Sequence, residues 1–500
     1  MLFIKSAMWV SLGIALGRLA GFVRDASLAA RFGAQGPADI AVVLLLVPDS
    51  LLNLLVGGAM SAALIPEFAR LGRGLRSRAL LSQALLYSGG LALALVVLMF
   101  VFAGPVLSVL APGFSTEARA TTLPLFRTAL WAIPLTFLAG VTTAFLQSRH
   151  RFLIPALGTL FFNLVLIAAI QAGSGHVNPL SILAAAVIAA CLFRLGSQAV
   201  AIGPFAVAAR FFRWPLFHSD LLRRYGQAVA AGSFVALVPI LARSAASLTA
   251  EGGMALFNYA AKLVELPLGV AITVLSVAVF PLLSHAFARG QETGPLLRSS
   301  FRWVLAVSVG LMVSLFVFRR LFAELAFGWG RMTSADLDRL SVLFGIGLLS
   351  LPFQGLAGML MAVFNAKRDT AAPFRVNAVG ALLFFPLALA FAFPLSGGVR
   401  GVMAAQVVVF MGTCALQSWL LARRHGIGLS SFLPPVRVAG FFFVSLLAGG
   451  GAAWLRDHWV LATVPRVTLA GGTGLVLLLA GLGMLGEGAG LLARWRARGA

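Results

Sequence analysis

Long apolar segments recur from one end of the chain to the other, and they limit its fold more than any other feature. A helix needs about 20 apolar residues to cross the hydrocarbon core of a bilayer, where it must satisfy its own backbone hydrogen bonds. The mean hydropathy of +0.99 excludes an ordinary soluble domain. The sequence therefore predicts an all-α, polytopic membrane protein with 14 transmembrane helices. The predicted spans lie near residues 7–31, 38–65, 79–104, 121–147, 153–172, 180–204, 227–249, 254–287, 301–323, 340–365, 372–394, 399–422, 433–455 and 464–489.

Basic residues mark one side of this pattern. Arginine or lysine follows every even-numbered span up to the twelfth and ends the chain, whereas the loops after spans five and seven carry neither. Loops rich in lysine and arginine stay in the cytoplasm, so both termini are predicted to be cytoplasmic. The same rule accounts for the net charge of +23, and no nucleic-acid partner is predicted.

An internal repeat relates the two halves of the chain. PLTFLAGVTTAFLQSRHRFLIP at 134–155 and PFQGLAGMLMAVFNAKRDTAAP at 352–373 share proline, Leu-Ala-Gly and a basic pair at an offset of 218 residues. Three further pairs keep an offset of 219: Arg24 with Arg243, Asp39 with Asn258, and Pro48 with Pro267. Each copy holds six spans, an even number, so both copies start on the same side of the membrane. The repeat predicts two parallel lobes related by a pseudo-two-fold axis.

The repeat and the span count define four expected regions. The N-terminal six-helix lobe covers 1–208, and the basic, aromatic stretch at 209–226 is a cytoplasmic interfacial linker. The C-terminal six-helix lobe covers 227–425, and residues 426–500 add two helices.

Charged side chains fall inside the predicted spans, where each costs about 2.5 kcal/mol or more. Either they form buried ion pairs between helices or they face a hydrated cavity. Arg24 and Asp25 are neighbours about 100° apart on a helix, so they are not expected to pair face to face. Cations outnumber acids, which favours a positively charged cavity suited to a phosphate-bearing anion. The charged residues are Arg18, Arg24, Asp25, Asp39, Asp49, Arg127, Arg194, Arg243, Lys262 and Glu265.

No residue pattern indicates catalysis, a cofactor or a metal. Cys191 and Cys414 fall inside apolar segments, and the six histidines are scattered without the HExxH spacing of a zinc site. The expectation is a chain without catalytic residues, metal ligands or cofactors.

Several motifs follow one another in the order seen in a known family. They include GRLAGFVRDASLAARFGA at 17–34, AMSAALIPEFAR at 59–70 and NYAAKLVELPLGV at 258–270. LAPGF at 110–114 lies between the second and third of these, and FGWGRMT at 327–333 follows the third. With these motifs the chain resembles the MurJ/MviN lipid II flippases of the MOP transporter superfamily.

The resemblance implies a transporter in the bacterial cytoplasmic (inner) membrane, not an enzyme. Its substrate would be lipid II, the undecaprenyl-pyrophosphate-linked peptidoglycan precursor, moved between leaflets by alternating access for cell wall biogenesis and cell shape. The two added helices would form a groove for the lipid tail. Membrane lipids and cell-wall synthesis proteins are the further partners left open. The membrane potential could drive the cycle, and no coupling ion can be identified.

The resemblance also assigns site residues. Matching positions in the family's cavity or gate are Arg18, Arg24, Asp25, Asp39, Lys262 and Glu265, and Arg127, Arg194 and Arg243 are additional candidate cavity charges. Departures from the family are Leu52 and Asn53 in place of an arginine pair, Gly57 in place of an acid, and Lys262 in place of arginine.

These departures keep alternatives open. The first is a flippase for another polyprenyl-linked glycan. A multidrug exporter of the same superfamily would need an acid-rich cavity, which the surplus of cations disfavours. A membrane-embedded glycosyltransferase or ligase would need a catalytic acid or base and a large outward loop, and the outward loops here are short. A non-transporting scaffold would not explain the charges within the spans.

Overall fold

A computed structural model describes residues 2–51, 60–173, 178–203, 237–269, 291–367, 369–458 and 463–486, and a few single positions between 216 and 289. Every regular element within these ranges is helical, which confirms the predicted fold class. The chain divides into two compact units. The first comprises Met1–Asn258 with Trp329–Met332, and the second comprises Tyr259–Gly328 with Thr333–Ala500.

The first unit contains ten of the described helices, and an eleventh begins in it. They are α1 (Leu2–Phe32), α2 (Gly36–Leu51), α3 (Met60–Leu71), α4 (Leu75–Val101), α5 (Ala103–Leu110), α6 (Thr116–Leu130), α7 (Ala132–Ser148), α8 (Leu153–Ala172), α9 (Pro179–Ile202), α10 (Leu237–Ser247) and α11 (Gly253–Pro267). Helix α1 packs along α8, α8 along α9, and α7 against both α4 and α9.

The second unit holds the rest of α11 and nine later helices among the described residues. They are α12 (Gly294–Val317), α13 (Arg319–Phe327), α14 (Ser334–Leu348), α15 (Leu351–Ala366), α16 (Ala371–Ala392), α17 (Gly398–His425), α18 (Leu429–Phe432), α19 (Pro435–His458) and α20 (Thr463–Leu485). Helices α16 and α17 pack together, and so do α12 and α20.

Many of these helices can cross a membrane. Within the described ranges nine helical segments are long and apolar enough, with α6 and α7 counted together, and α14 with α15 gives a tenth segment bent by 41°. They fall on ten of the predicted spans, and the protein is a multi-pass membrane protein. The count of fourteen stays a prediction. Helix α1, on the first predicted span, is not among these segments, and parts of the second, seventh and eighth predicted spans lie outside the described residues. The predicted linker at 209–226 also lies outside them, except for two positions, so the four expected regions stay predictions.

Two glycines one turn apart bring α1 close to α8. A Cβ atom on Gly17 would lie 3.3 Å from the Thr159 side chain, and one on Gly21 would lie 3.5 Å from Asn163 Nδ2. Asn163 also donates a hydrogen bond to the Gly17 carbonyl at 3.3 Å. Small residues four apart allow helices in a membrane to approach closely, where van der Waals contact and interhelical hydrogen bonds hold them. This contact anchors the helix that carries the first three predicted site residues.

Candidate substrate and gate site

Arg24, Asp25 and Asp49 form an ion cluster in the first unit, in which Arg24 and Asp25 are buried and Asp49 is 28% exposed. The Arg24 side chain on α1 is 4% exposed, and its Nη2 atom lies 3.0 Å from Asp25 Oδ1 and 2.8 Å from Asp49 Oδ2. The expectation that Arg24 and Asp25 do not pair is therefore wrong. The angle between two residues on a helical wheel describes their Cβ directions, whereas a long arginine side chain can bend back to its neighbour's carboxylate.

The contact between Arg24 and Asp49 joins α1 to α2 by two parallel hydrogen bonds. Nη1 donates to Oδ1 at 3.1 Å while Nη2 donates to Oδ2 at 2.8 Å. This paired geometry is available to a guanidinium and not to an ammonium group. Two carboxylates oppose one guanidinium, so the cluster contributes no surplus positive charge. The assignment of Arg24 and Asp25 as substrate-binding residues stays a prediction.

Asp39 caps the N-terminus of α11. Its side chain is 4% exposed, and it accepts hydrogen bonds from the backbone nitrogens of Gly252 at 2.8 Å and Ala255 at 2.7 Å. The first N–H groups of a helix lack partners within the helix, and the helix dipole places positive charge there. A buried carboxylate is well suited to that position.

An acid just before α11 in turn caps the N-terminus of α2. Glu251 Oε1 accepts a hydrogen bond from the backbone nitrogen of Gly36, the first residue of α2, at 3.0 Å. Asp39 in the first turn of α2 therefore caps α11, and Glu251 just before α11 caps α2. Gly252 adopts φ 77°, and a Cβ atom there would overlap the Ala34 carbonyl, so glycine is required where the two chain segments meet.

Further hydrogen bonds extend this contact into what we call the loop seam, comprising residues 30–39, 109–113, 244–255 and 331. All of these residues belong to the first unit. The additional bonds run from Ser244 Oγ to Val109 O at 2.6 Å, from Gly113 N to Ser247 Oγ at 3.2 Å, and from Arg331 N to Ala30 O at 2.8 Å. Each segment lies at a loop after an odd-numbered predicted span, so the positive-inside pattern predicts that the seam is on the outward side.

Lys262 and Glu265 pair on α11 within the second unit. Lys262 Nζ lies 2.7 Å from Glu265 Oε2, and the two side chains are 24% and 50% exposed. Residues three apart share one face of a helix, which explains the contact. Their accessible side chains are compatible with the predicted binding role, which stays a prediction.

Two further candidate charges have uncharged partners. Arg243 is buried and donates from Nε to Asn258 Oδ1 at 2.9 Å and from Nη1 to the Pro239 carbonyl at 2.9 Å. Arg127 is half-buried, and its guanidinium lies 5.1 Å from the centre of the Phe100 ring. Cation–π attraction is favourable at that distance. Neither contact tests the predicted cavity role.

Arg194 and Arg18 lie in opposite environments. Arg194 on α9 is 1% exposed, and within the described part of the chain its three guanidinium nitrogens have no hydrogen-bond partner. A Cβ atom on Gly158 would lie 3.2 Å from Arg194 Cγ, so the glycine makes room for the arginine. Arg18 on α1 is exposed. Of these two candidates, Arg18 is the accessible one.

Sequence reasoning left two acids of this site unassigned. Asp49 was visible as a charge inside a predicted span, directly after Pro48, but hydropathy does not show which helix it faces. Glu251 carried no motif. The departures at Leu52, Asn53 and Gly57 lie outside the described residues. Within the described residues, no group of three or more His, Cys, Asp or Glu side chains could hold a metal ion.

Comparisons with known proteins agree on one family. The family profile described as "Lipid II flippase MurJ" matches residues 28–467. A relative from Rhizobium tropici, "Probable lipid II flippase MurJ", is 27% identical over 496 residues, covering 93% of this chain and 90% of its own. "Lipid II flippase MurJ" from Burkholderia cenocepacia is 27% identical over 432 residues, covering 82% of each chain.

Solved structures show the same fold. One described as "Lipid II flippase MurJ, inward closed conformation" has a TM-score of 0.79 at 19% identity, covering 94% of this chain and 98% of its own. An inward-facing multidrug resistance MATE family transporter of the MOP superfamily has a TM-score of 0.71 at 14% identity, covering 83% of this chain and 97% of its own.

Proposed function

The chain belongs to the lipid II flippase MurJ family, and from that premise we propose that it moves lipid II from the inner to the outer leaflet of the bacterial cytoplasmic membrane. The family consists of transporters, so the protein is not an enzyme. Alternating access requires a seam that closes one side of the membrane and can be released. The loop seam is the observation that carries the proposal.

The chemistry of the loop seam suits a gate. Its bonds are polar, few and directional, and two of them depend on the single carboxylate of Asp39. Replacing one such hydrogen bond by hydrogen bonds to water costs about 0.5–1.5 kcal/mol of free energy, and more where one partner is charged. A seam of this strength holds a closed state and still opens when a ligand favours the other state.

Substrate recognition falls to the accessible cations. Arg18 is exposed in the first unit, and Lys262 is partly exposed in the second. A guanidinium can bind two phosphate oxygens at once, and an ammonium adds a point charge. Arg24 fixes α1, the helix that carries Arg18, to α2. Export of an anionic pyrophosphate from a negative-inside cell gains about 2.3 kcal/mol per charge per 100 mV.

We also propose that both termini are cytoplasmic and that cell-wall synthesis proteins are partners. The first rests on the distribution of lysine and arginine, and the second rests on the chemistry of the substrate, which other proteins must make and consume.

The test is rescue of a bacterium depleted of its own lipid II flippase. Cells would express the wild-type chain, Asp39→Asn or Glu117→Gln, and lipid II in the outer leaflet would be labelled and counted. Glu117 is an exposed acid in the first turn of α6, outside the loop seam, and provides the matched control. We expect rescue by the wild type and Glu117→Gln and a marked loss with Asp39→Asn.

Failure of a well-expressed wild type to restore surface lipid II would contradict the proposal. If the same chain then restored export of another polyprenyl-linked glycan, the substrate would be reassigned and the gate retained. Equal rescue by Asp39→Asn would remove the gate assignment.

A further inference from the structure

A second group of cations lies apart from the loop seam, in the first unit. A cavity of about 270 Å³ opens where α4 begins and where α7 and α9 end. Four of its nine lining residues are arginines, five are apolar and none is acidic. They are Arg73, Arg78, Leu81, Phe145, Leu146, Arg149, Arg151, Ala201 and Ile202. We call it the arginine cavity. Its walls are the ends of three segments that can cross a membrane, which places it at a membrane–water interface.

A tight turn brings two of the arginines to one cavity. The backbone nitrogens of Arg149 and Arg151 both donate to the carbonyl of Leu146, at 3.1 and 2.9 Å. His150 between them adopts φ 60°, a left-handed conformation that is uncommon outside glycine and enriched in histidine. Arg151 is held further by a 2.7 Å hydrogen bond to the Ala201 carbonyl. The turn therefore directs the guanidinium groups of Arg149 and Arg151 to the same cavity.

Arg149 is poorly compensated within the protein. Its Nε atom is buried without a hydrogen-bond partner, its Nη2 atom is 3.5 Å from Ser77 Oγ, and its guanidinium lies 4.2 Å from the Phe145 ring centre. Burial first, and the three neighbouring guanidinium groups second, lower the pKa of Arg149 below its ordinary value. Four like charges around one cavity repel each other, and an anion in the cavity would relieve that repulsion.

The second copy of the repeat supplies an internal comparison. Asp369 stands at the position that corresponds to Arg151, at the offset of 218 residues. Its Oδ2 atom lies 3.3 Å from Arg424 Nη1 and 3.1 Å from His425 Nε2. The second copy thus carries its own acid among its basic residues, and the first copy has an arginine in that place.

We propose that the arginine cavity binds the phosphate of an anionic phospholipid headgroup. Guanidinium groups can donate paired hydrogen bonds to phosphate oxygens. Because no acid lines the cavity, the negative charge that balances the arginines must come from a bound anion. The lipid source follows from the position of the cavity at the ends of three membrane-crossing segments, where the partly exposed Ala201 and Ile202 offer apolar surface to the glycerol and first acyl carbons. This site is independent of the transport proposal.

The test counts lipids bound to the purified full-length chain. The protein would be placed in phosphatidylcholine nanodiscs containing increasing phosphatidylglycerol, and lipids retained on release would be measured by native mass spectrometry. Arg149→Ala, Arg78→Ala and Arg151→Asp, which copies the second repeat, should each weaken phosphatidylglycerol retention by about tenfold or more, as expected for losing a charged hydrogen bond. Arg76→Ala is the matched control, an exposed arginine in the first turn of α4, close to Arg78, that does not line the cavity.

Arg78 is exposed, so its variant tests the proposal even if the partly buried Arg149 is needed for folding. Equal weakening by Arg76→Ala and Arg78→Ala would overturn the proposal in favour of general surface charge. Equal retention of phosphatidylcholine and phosphatidylglycerol would overturn it as well. Saturable binding of inorganic pyrophosphate without retention of phosphatidylglycerol would assign the cavity to a free phosphate and overturn the lipid source.

Discussion

The carboxylate of Asp39 lies 2.7 Å from the backbone nitrogen of Ala255, so a side chain near the start of α2 caps the start of α11. The two residues are far apart in sequence, and the predicted lobes assign them to different halves of the repeat. The cap therefore ties the first half of the chain to the beginning of the second. Release of this carboxylate would free two N–H groups at once, that of Gly252 before α11 and that of Ala255 in its first turn.

Asp39→Asn is predicted to weaken the loop seam. Asparagine keeps one acceptor oxygen but removes the charge that the helix N-terminus favours, and the loss of such a cap costs about 0.5–2 kcal/mol. The seam would be monitored through Ser247→Cys, a buried position within it, in a background where Cys191 and Cys414 are alanine. A membrane-impermeant maleimide should label this cysteine faster in the Asp39→Asn variant.

Glu117→Gln is the control for this labelling experiment and should leave the labelling rate unchanged. An unchanged rate in Asp39→Asn would show that the cap does not hold the seam closed.

The pair Arg24 and Asp49 is predicted to be strongly coupled. Breaking a fully buried ion pair typically costs about 3–5 kcal/mol, and exposed pairs three residues apart contribute about 0.2–0.5 kcal/mol. Arg24 is buried and Asp49 is 28% exposed, so their coupling should fall between these limits. A double-mutant cycle with Arg24→Ala and Asp49→Ala, measured as the free energy of unfolding in detergent, should give a coupling of at least about 1 kcal/mol. The same cycle on Lys262 and Glu265 is the comparison. Coupling no larger than in that exposed pair would contradict the prediction.

Arg194→Met is predicted to stabilise the protein. The arginine is 1% exposed with no hydrogen-bond partner for its guanidinium among the described residues, so it carries a desolvation penalty that methionine avoids. The expected gain is on the order of 1–4 kcal/mol, seen as a higher midpoint of thermal unfolding. Arg127→Met on a half-buried arginine should change stability little.

Transport provides the second readout for Arg194→Met. Lost lipid II export in a variant that is not less stable would support the cavity role expected from the sequence. Unchanged export would leave Arg194 outside the substrate site.

Asp369 is predicted to make stability depend on pH in acid. Burial opposes ionisation of this carboxyl, but hydrogen bonds from His425, the backbone nitrogen of Ala372 and Arg424 outweigh it and lower the pKa of Asp369. A carboxyl with a lowered pKa in the folded state contributes stability above its unfolded pKa, near 3.9, and loses it as pH falls further. The contribution is below about 1 kcal/mol because the group is partly solvated.

The measurement is thermal unfolding of the wild type and Asp369→Asn between pH 7 and pH 3. The wild type should be more stable from pH 7 down to about pH 5, and the difference should shrink below about pH 4. A difference that stayed constant across this range would mean that the carboxylate charge contributes nothing.

Local sequence determined the helical fold class and most of its helices. The recurring apolar runs identify α4, α8, α9 and the later spans, because crossing a bilayer requires a length and a composition that can be counted along the chain. The motifs, above all the one at residues 17–34, pointed to the family, and the resemblance assigned predicted roles to Arg24 and Asp39. None of this depends on which helix faces which.

The tertiary structure decided the partners of the charges. Hydropathy registers a charge inside a span but not the rotation of that helix or the identity of its neighbour, so the bond from Arg24 to Asp49 and the cap of Asp39 on Ala255 could not be predicted. The burial of Arg194 beside Gly158 and the meeting of Arg78 with Arg149 are equally non-local. A side chain's cost or use within a membrane depends on what lies opposite it, and packing alone brings residues so distant in sequence together.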